Sequence, residues 1–126
     1  MLVFTCAASA GAHAGLVPAH LNSEPQLGVA FVVAVILLAA TATAVAARPA
    51  DRRITTAAGV LLAGLMLAYL ATRTTGIPVL APEPEALDAV GIATGVVEAL
   101  GIAVAVWLIH PIGRPGRLTQ LQEVSP

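Results

Sequence analysis

Two of the three histidines in this 126-residue chain lie seven residues apart, and a glutamate follows them closely. They are His13 and His20, in the stretch HAGLVPAHLNSE, which ends in Glu24. Another glutamate, Glu98, interrupts the apolar stretch GIATGVVEALGIAVAVW. Imidazole and carboxylate groups suit Zn(II) or Cu(II), and histidine also titrates near neutral pH. The sequence therefore predicts a transition-metal or proton site with four candidates: His13, His20, Glu24 and Glu98.

A third potential ligand type lies on the same predicted helix face. Cys6, His13 and His20 are spaced i, i+7, i+14, which is close to two helical turns per step. Each step separates the residues by about 10.5 Å, so no two of them bind one ion from an unbroken helix. The spacing favours a polar track, which a bend at Pro18 or a fold-back of Glu24 would close. Cys6 and Met66 are the side chains that would favour Cu(I).

The composition places these residues in a membrane protein. Hydrophobic residues make up 58% of the chain and charged residues only 10%, against roughly 25% in soluble domains. The net charge of −1 offers no basic surface for nucleic acid. A single cysteine excludes an intrachain disulfide and paired-cysteine metal motifs. We expect one domain, with the lipid bilayer as its main partner.

Four apolar segments approach the length of about 20 residues that a transmembrane helix needs. These predicted spans are residues 2–19, 27–47, 54–72 and 89–109. The first span lacks a basic start, so we expect it to be retained and not cleaved as a signal peptide. The fold class predicted is all-α, a four-helix transmembrane bundle with up-down topology. Residues 1–110 form its transmembrane domain, and residues 111–126 form a polar cytoplasmic tail.

The arginines predict the orientation. Five of the six lie in the connector between spans two and three or after span four: Arg48, Arg52, Arg53, Arg114 and Arg117. Cytoplasmic segments carry an excess of arginine and lysine, so both termini are predicted to be cytoplasmic. Arg73 would then be the one arginine outside. The alanine-rich, lysine-free composition is typical of a high-GC bacterial genome, which predicts a bacterial plasma membrane.

Glu98 is the candidate whose position is most informative. An ionisable group at that depth costs at least about 2.5–3.5 kcal/mol, so it is not expected to face lipid. Gly91, Gly95 and Glu98 share a helical face, and the glycine pair allows another helix to approach closely. His13 lies within about one helical turn of the same depth, which makes a contact between His13 and Glu98 geometrically possible.

An outward-facing polar pocket is the resulting hypothesis. Met66 and Tyr69 belong to the same half of the bundle as the histidines and glutamates, whereas the inner half is almost purely apolar. The proline-rich acidic connector, residues 73–88, would either cover this pocket as a lid or serve only as a solvated link. The plainer alternative for His20 and Glu24 is the polar end of a helix that leaves the lipid.

Two other functions compete with the ion-binding pocket. Small-residue pairs on spans three and four suit packing against other helices, which favours an accessory subunit of a larger membrane complex or a homo-oligomer. These pairs are Gly64 with Ala68, Gly91 with Gly95, and Gly101 with Ala105. An intramembrane enzyme is the weakest alternative, because no nucleophile accompanies His13 and Glu98 at their depth. We therefore expect no enzymatic activity.

The two polar stretches together resemble a known group of proteins. The pattern in HAGLVPAHLNSEPQLGVAF and in RTTGIPVLAPEPEALDAVG, followed by Glu98, is similar to uncharacterised small four-helix integral membrane proteins of actinobacteria. The matching positions are His13, Pro18, His20, Glu24, Gly28, Phe31, Arg73, Gly76, Pro78, Pro82, Pro84 and Glu98. The resemblance covers most of the chain and implies a four-helix membrane protein, but no activity. The first span is shorter here than the resemblance leads one to expect.

Overall fold

Four long helices make up most of the part of the chain that the computed structural model describes, residues 1–110. The helices are α1 (Leu2–Ser23), α2 (Pro25–Ala47), α3 (Arg52–Thr74) and α4 (Ala89–Ile109). All four are long and apolar enough to cross a bilayer. The predicted all-α four-helix bundle is confirmed, and the chain is a multi-pass membrane protein. The predicted cytoplasmic tail, with Arg114 and Arg117, lies outside the described residues.

The first helix is longer than the sequence indicated. It continues through Pro18 to Ser23, and Glu24 alone separates it from α2. Asn22 and Ser23 donate side-chain hydrogen bonds to the carbonyls of Pro18 and Ala19, at 2.9 and 3.1 Å, and so stabilise the last turn. Pro25 opens α2 because the first helical position needs no N–H donor. The chain reverses direction at Glu24, and the first span, predicted to end at residue 19, reaches membrane-crossing length.

The helices form a ring in chain order. α1 packs against α2 and α4, and α3 packs against the same two helices. Within residues 1–110 the diagonal pair α1 and α3 barely touch, and α2 and α4 make no direct contact. Neighbours in the ring run antiparallel, as expected for up-down topology with short connectors.

The apolar core lies toward the end of the bundle that carries the α2–α3 connector. Its buried residues are Leu2, Cys6, Ala10, Leu38, Ala42, Val45, Ala58, Leu62 and Ala105. Large apolar side chains also cover the outside of the bundle, among them Val33, Ile36, Val60, Leu67 and Leu100. An apolar exterior of this kind is stable in lipid and would be an aggregation hazard in water.

The opposite end of the bundle is closed by the connector of residues 75–88, which we call the cap. It folds back on itself through a bridge between Ile77 and Ala81, and Gly76 takes the left-handed conformation that the turn requires (φ 70°). The cap is attached to α3 by the Glu85 N–H, which donates to the Thr72 carbonyl at 2.9 Å. Its Ala81 is buried. The cap is therefore a packed part of the fold and not only a solvated link.

Candidate functional site

Glu98 lies inside the bundle and is held by a residue of a different helix. Only 2% of its surface is exposed, and its Oε1 accepts a 2.9 Å hydrogen bond from the Ser9 hydroxyl of α1. Ser9 itself has no exposed surface. This bond joins α1 to α4 at mid-bundle depth.

A glycine makes this close approach of the helices possible. A Cβ at Gly101 would lie 2.8 Å from Thr5 Oγ1 of α1 and 2.5 Å from Leu62 Cδ1 of α3. Any larger residue would therefore push α4 away from α1 and α3. Since Gly101 is one turn from Glu98 along α4, its small size is what brings the carboxyl group within reach of Ser9.

His13 completes the cluster on α1. Its Nδ1 lies 2.8 Å from the Ser9 carbonyl oxygen and 3.5 Å from the Ser9 hydroxyl. A carbonyl oxygen only accepts hydrogen bonds, so Nδ1 is the protonated nitrogen of the ring. In the neutral ring Nε2 then carries the lone pair. The three side chains Ser9, His13 and Glu98 form what we call the buried triplet.

His20 repeats the arrangement one step further along α1. Its Nδ1 lies 3.0 Å from the Leu16 carbonyl, the same i−4 contact that His13 makes. The Phe31 ring of α2 contacts both imidazoles edge-on, with centroid distances of 5.5 Å to His13 and 4.8 Å to His20. Phe31 thus fixes the orientation of both rings and separates them.

A cavity of about 390 Å³ opens beside the triplet, between the four helices and the cap. Most of its wall is apolar, including Leu16, Ala34 and Leu65. Its polar wall residues are His13, His20, Tyr69, Thr72, Arg73, Glu85, Asp88, Thr94 and Glu98. A cavity is therefore present in the half of the bundle where the sequence predicted a polar pocket, with Tyr69 on its wall, but the wall is mainly apolar. Met66, also expected there, does not line it.

The cap end of the cavity is held by an arginine cluster. Arg73 forms ion pairs with Glu85 at 2.9 Å and with Asp88 at 2.8 Å. It also lies over the Tyr69 ring, 4.8 Å from the ring centroid. Asp88 in addition accepts a 2.7 Å hydrogen bond from the Gly91 N–H and so caps α4. We call this group of Arg73, Glu85 and Asp88 the latch, because it links the end of α3, the cap and the start of α4.

The structure brings some of the four predicted ligands together and leaves others apart. His13 and Glu98 meet through Ser9, whereas His20 is separated from them by Phe31. Glu24 is exposed between α1 and α2 and does not line the cavity. Within residues 1–110, no three His, Cys, Asp or Glu side chains are close enough to hold one metal ion. Metal binding by all four residues stays a prediction that this geometry does not favour.

Three residues of the site have roles that the sequence did not reveal. Ser9 was visible only as a hydroxyl four residues before His13, and its bond to Glu98 depends on the packing of α1 against α4. Phe31 and Arg73 belong to the resemblance pattern, but nothing in their sequence neighbourhood points to His13, His20 or the cap. The sequence signal for the latch was the opposite charge of the two residues that begin and end the 73–88 stretch, Arg73 and Asp88.

Comparison of the chain with protein-family models, curated proteins and solved structures finds no match. The site must therefore be interpreted from its own geometry.

Proposed function

We propose that this chain is a bacterial plasma-membrane protein that binds a proton at the buried triplet of Ser9, His13 and Glu98. The observation that carries the proposal is the 2.9 Å hydrogen bond between Ser9 and Glu98 in the bundle interior. A carboxylate buried at this depth needs a proton or a cation to neutralise it. No arginine side chain forms an ion pair with Glu98 in the described part of the chain.

His13 supplies a second position for the same proton. With the proton on Glu98, the carboxylic acid and the neutral imidazole are both uncharged. With the proton on Nε2 of His13, the ring becomes an imidazolium that attracts the Glu98 carboxylate, while the Ser9 hydroxyl still donates to Glu98. Both states satisfy the Ser9 hydroxyl, which is a donor and an acceptor. The triplet therefore suits one shared proton better than a metal ion, which needs three or more protein ligands.

The surrounding core indicates a binding site and not a conducting path. Beyond the triplet, toward the α2–α3 connector, α1 to α3 contribute Cys6, Leu38 and Leu62, all fully buried. The hydroxyls of Thr5 and Thr55 in this part of the described bundle each donate to a carbonyl at the start of their own helix. Protons are thus expected to reach Glu98 only from the cavity side, which is the arrangement of a pH sensor.

The proposal also includes the orientation of the bundle in the membrane and the membrane in which it lies. The short basic connector between α2 and α3 supports a cytoplasmic location for that end, with the cavity and cap outside. The resemblance to small actinobacterial membrane proteins supports a bacterial plasma membrane.

We also propose that the protein is not an enzyme. The Ser9 hydroxyl donates to Glu98 and His13 donates to a carbonyl, so Ser9 is not activated as a nucleophile.

The direct test is nuclear magnetic resonance of the detergent-purified protein with labelled glutamate carboxyl and histidine ring atoms. We expect the signals of the buried triplet to change as the pH of the sample is varied from about 5 to 8, because the proposed proton binds there. The Glu98→Gln variant should remove or displace this response, and the Glu24→Gln variant, at an exposed position, should retain it. A wild-type protein in which neither group changes protonation over that range contradicts the proposal.

Elemental analysis of the same preparations separates the proton from the metal hypothesis. We expect no near-stoichiometric transition metal in the wild type. Metal that is present in the wild type and lost in both His13→Ala and Glu98→Gln would overturn the preference for a proton.

A second candidate function is that of an accessory subunit or a homo-oligomer. Gly91 and Gly101 are used inside the bundle, whereas Gly64 of α3 lies on the outside with open space around it. An exposed glycine on a lipid-facing helix favours close approach of another helix. Crosslinking in membranes through a Gly64→Cys substitution tests this, because a single dominant adduct is expected only if a partner helix packs there.

A further inference from the structure

The cavity beside the triplet has the size and wall of a small-molecule site. Its volume of about 390 Å³ lies within the range of roughly 300–1,000 Å³ typical of ligand pockets. Apolar side chains from the helices and the cap form most of the wall, and its carboxyl groups occur at two places. One is the triplet at the deep end, and the other is the latch at the cap end.

The charge of the cavity selects for a cation. Three carboxyl groups line it, those of Glu85, Asp88 and Glu98, and Arg73 is the single arginine on its wall. Arg73 is already committed to Glu85 and Asp88, so it does not neutralise Glu98. The other arginines of the described helices lie at the opposite end of the bundle. An occupant with a positive charge is therefore favoured at the deep end.

Two buried polar atoms on the cavity wall, the Tyr69 hydroxyl and Arg73 Nε, have no hydrogen-bond partner among the described residues, which indicates room for an occupant with polar groups. The Tyr69 hydroxyl is fully buried, and it has no hydrogen-bond partner among the residues described. Buried hydroxyl groups nearly always have a partner, so a missing one calls for a ligand or ordered water. Tyr69 lines the same cavity as Glu98 and can accept a hydrogen bond from an occupant's N–H group.

We propose that this cavity binds a small organic amine with an apolar body. Its ammonium group lies against the Glu98 carboxylate, and its body lies among Leu65, Phe31 and Ala34. The inference rests on the proposed site, since proton and amine compete for the same carboxyl group. Bound amine would replace the shared proton as the neutralising charge, which would make occupancy depend on pH.

Gly95 provides a way to block the cavity without altering the triplet. It lines the cavity one turn from Glu98, and a Cβ added there meets no atom within 4 Å. The Cβ of a Gly95→Leu side chain therefore has room, and the larger side chain is expected to occupy space that the ligand needs. Gly64 of α3 also has open space around it but does not line the cavity. Gly64→Leu is thus the matched control.

The experiment measures binding of 2-phenylethylamine to the detergent-purified protein by saturation-transfer nuclear magnetic resonance and calorimetry. The neutral analogue 2-phenylethanol has the same body without the charge. We expect the amine to bind at least about tenfold more tightly than the alcohol, a difference of about 1.4 kcal/mol. Glu98→Gln should remove this preference, Gly95→Leu should remove binding of both probes, and Gly64→Leu should bind like the wild type.

The outcomes separate this inference from the proposed proton site. Equal binding of amine and alcohol to the wild type overturns it, and so does amine binding that Gly95→Leu leaves intact. If Glu98 or His13 changes protonation but the amine does not bind, the amine site is wrong and the proton site stands. If neither group titrates but the amine binds in a Glu98-dependent way, the proton proposal is wrong and the amine site stands.

Discussion

Ser9 is the residue on which the candidate site depends most directly. It has no exposed surface, and its hydroxyl is the donor that satisfies the buried Glu98 carboxyl group. Its carbonyl meanwhile accepts from His13, so one residue of α1 holds both titratable groups. A buried acceptor that loses its donor costs more than the bond itself contributes, because it stays desolvated without compensation.

Replacement of this donor should therefore destabilise the bundle. We expect Ser9→Ala to lower the free energy of unfolding by about 1–3 kcal/mol and to reduce the thermal midpoint followed by circular dichroism in detergent. Ser23→Ala is the matched control, since its hydroxyl is exposed at the end of α1. Equal midpoints for the two variants would show that the Ser9–Glu98 bond does not stabilise the fold.

The small-residue face of α4 has two roles: it packs against α3, and it borders the cavity. Gly91 packs under the Tyr69 ring, where a Cβ would lie 2.5–2.9 Å from the ring atoms. Gly95, one turn away, meets nothing and borders the cavity. The same GxxxG pair therefore closes the contact between α3 and α4 at one position and leaves room for an occupant at the other.

The two glycines should respond to alanine in opposite ways. We expect Gly91→Ala to destabilise the protein by about 1–3 kcal/mol, because the added methyl group overpacks against Tyr69. Gly95→Ala should be neutral or stabilising by about 0.5–1 kcal/mol, because alanine loses less backbone entropy in a helix. Thermal unfolding of both variants beside the wild type measures the difference. A stable Gly91→Ala protein would show that α3 and α4 shift apart easily.

The cap is attached to the helices chiefly through Arg73. Its ion pairs with Glu85 and Asp88 are partly shielded, with 13% of the Arg73 side chain exposed, so they are screened less than surface pairs. The position of the cap over the cavity therefore depends on the latch.

Loss of the latch should loosen the cap without unfolding the bundle. We expect Arg73→Ala to speed amide hydrogen exchange across residues 75–88 while helix amides in α1 to α4 stay protected. Arg48→Ala, at an exposed position at the other end of the bundle, is the control. Unchanged exchange in the Arg73 variant would mean that the bridge between Ile77 and Ala81 and the Glu85 backbone bond hold the cap alone.

The bundle is asymmetric along its long axis. The apolar core lies toward the end with the α2–α3 connector, and the end under the cap contains the 390 Å³ cavity with His13, His20 and Glu98. Three arginines near the core end and the acidic cap at the other end make the charge asymmetric as well. The placement of the arginines supports the proposal that the cavity faces outward.

Cysteine labelling tests this orientation in intact cells. The one native cysteine, Cys6, is fully buried and should not react with a membrane-impermeant maleimide. We expect Glu83→Cys in the cap to be labelled from outside, and Ala50→Cys in the α2–α3 connector to be labelled only after lysis. The reverse pattern would place the cavity on the cytoplasmic side.

The sequence by itself determined the four helices, their order and their lipid-facing character. Hydropathy and length are local properties, and a bilayer accepts only segments whose backbone hydrogen bonds are satisfied internally. The one local error concerned the end of α1, because Pro18 and the polar stretch after it suggested a break. Hydrogen bonds from Asn22 and Ser23 to preceding carbonyls stabilise that turn.

Only the tertiary structure decided which polar side chains meet. The rotation of each helix about its axis depends on contacts with its neighbours, such as Gly101 against Thr5 and Leu62. That packing brings Ser9 to Glu98, sets Phe31 between His13 and His20, and leaves Glu24 exposed. The four residues that the sequence grouped as one site therefore do not all lie together. Spacing along a helix shows which residues share a face, but it does not show which neighbouring helix packs against that face.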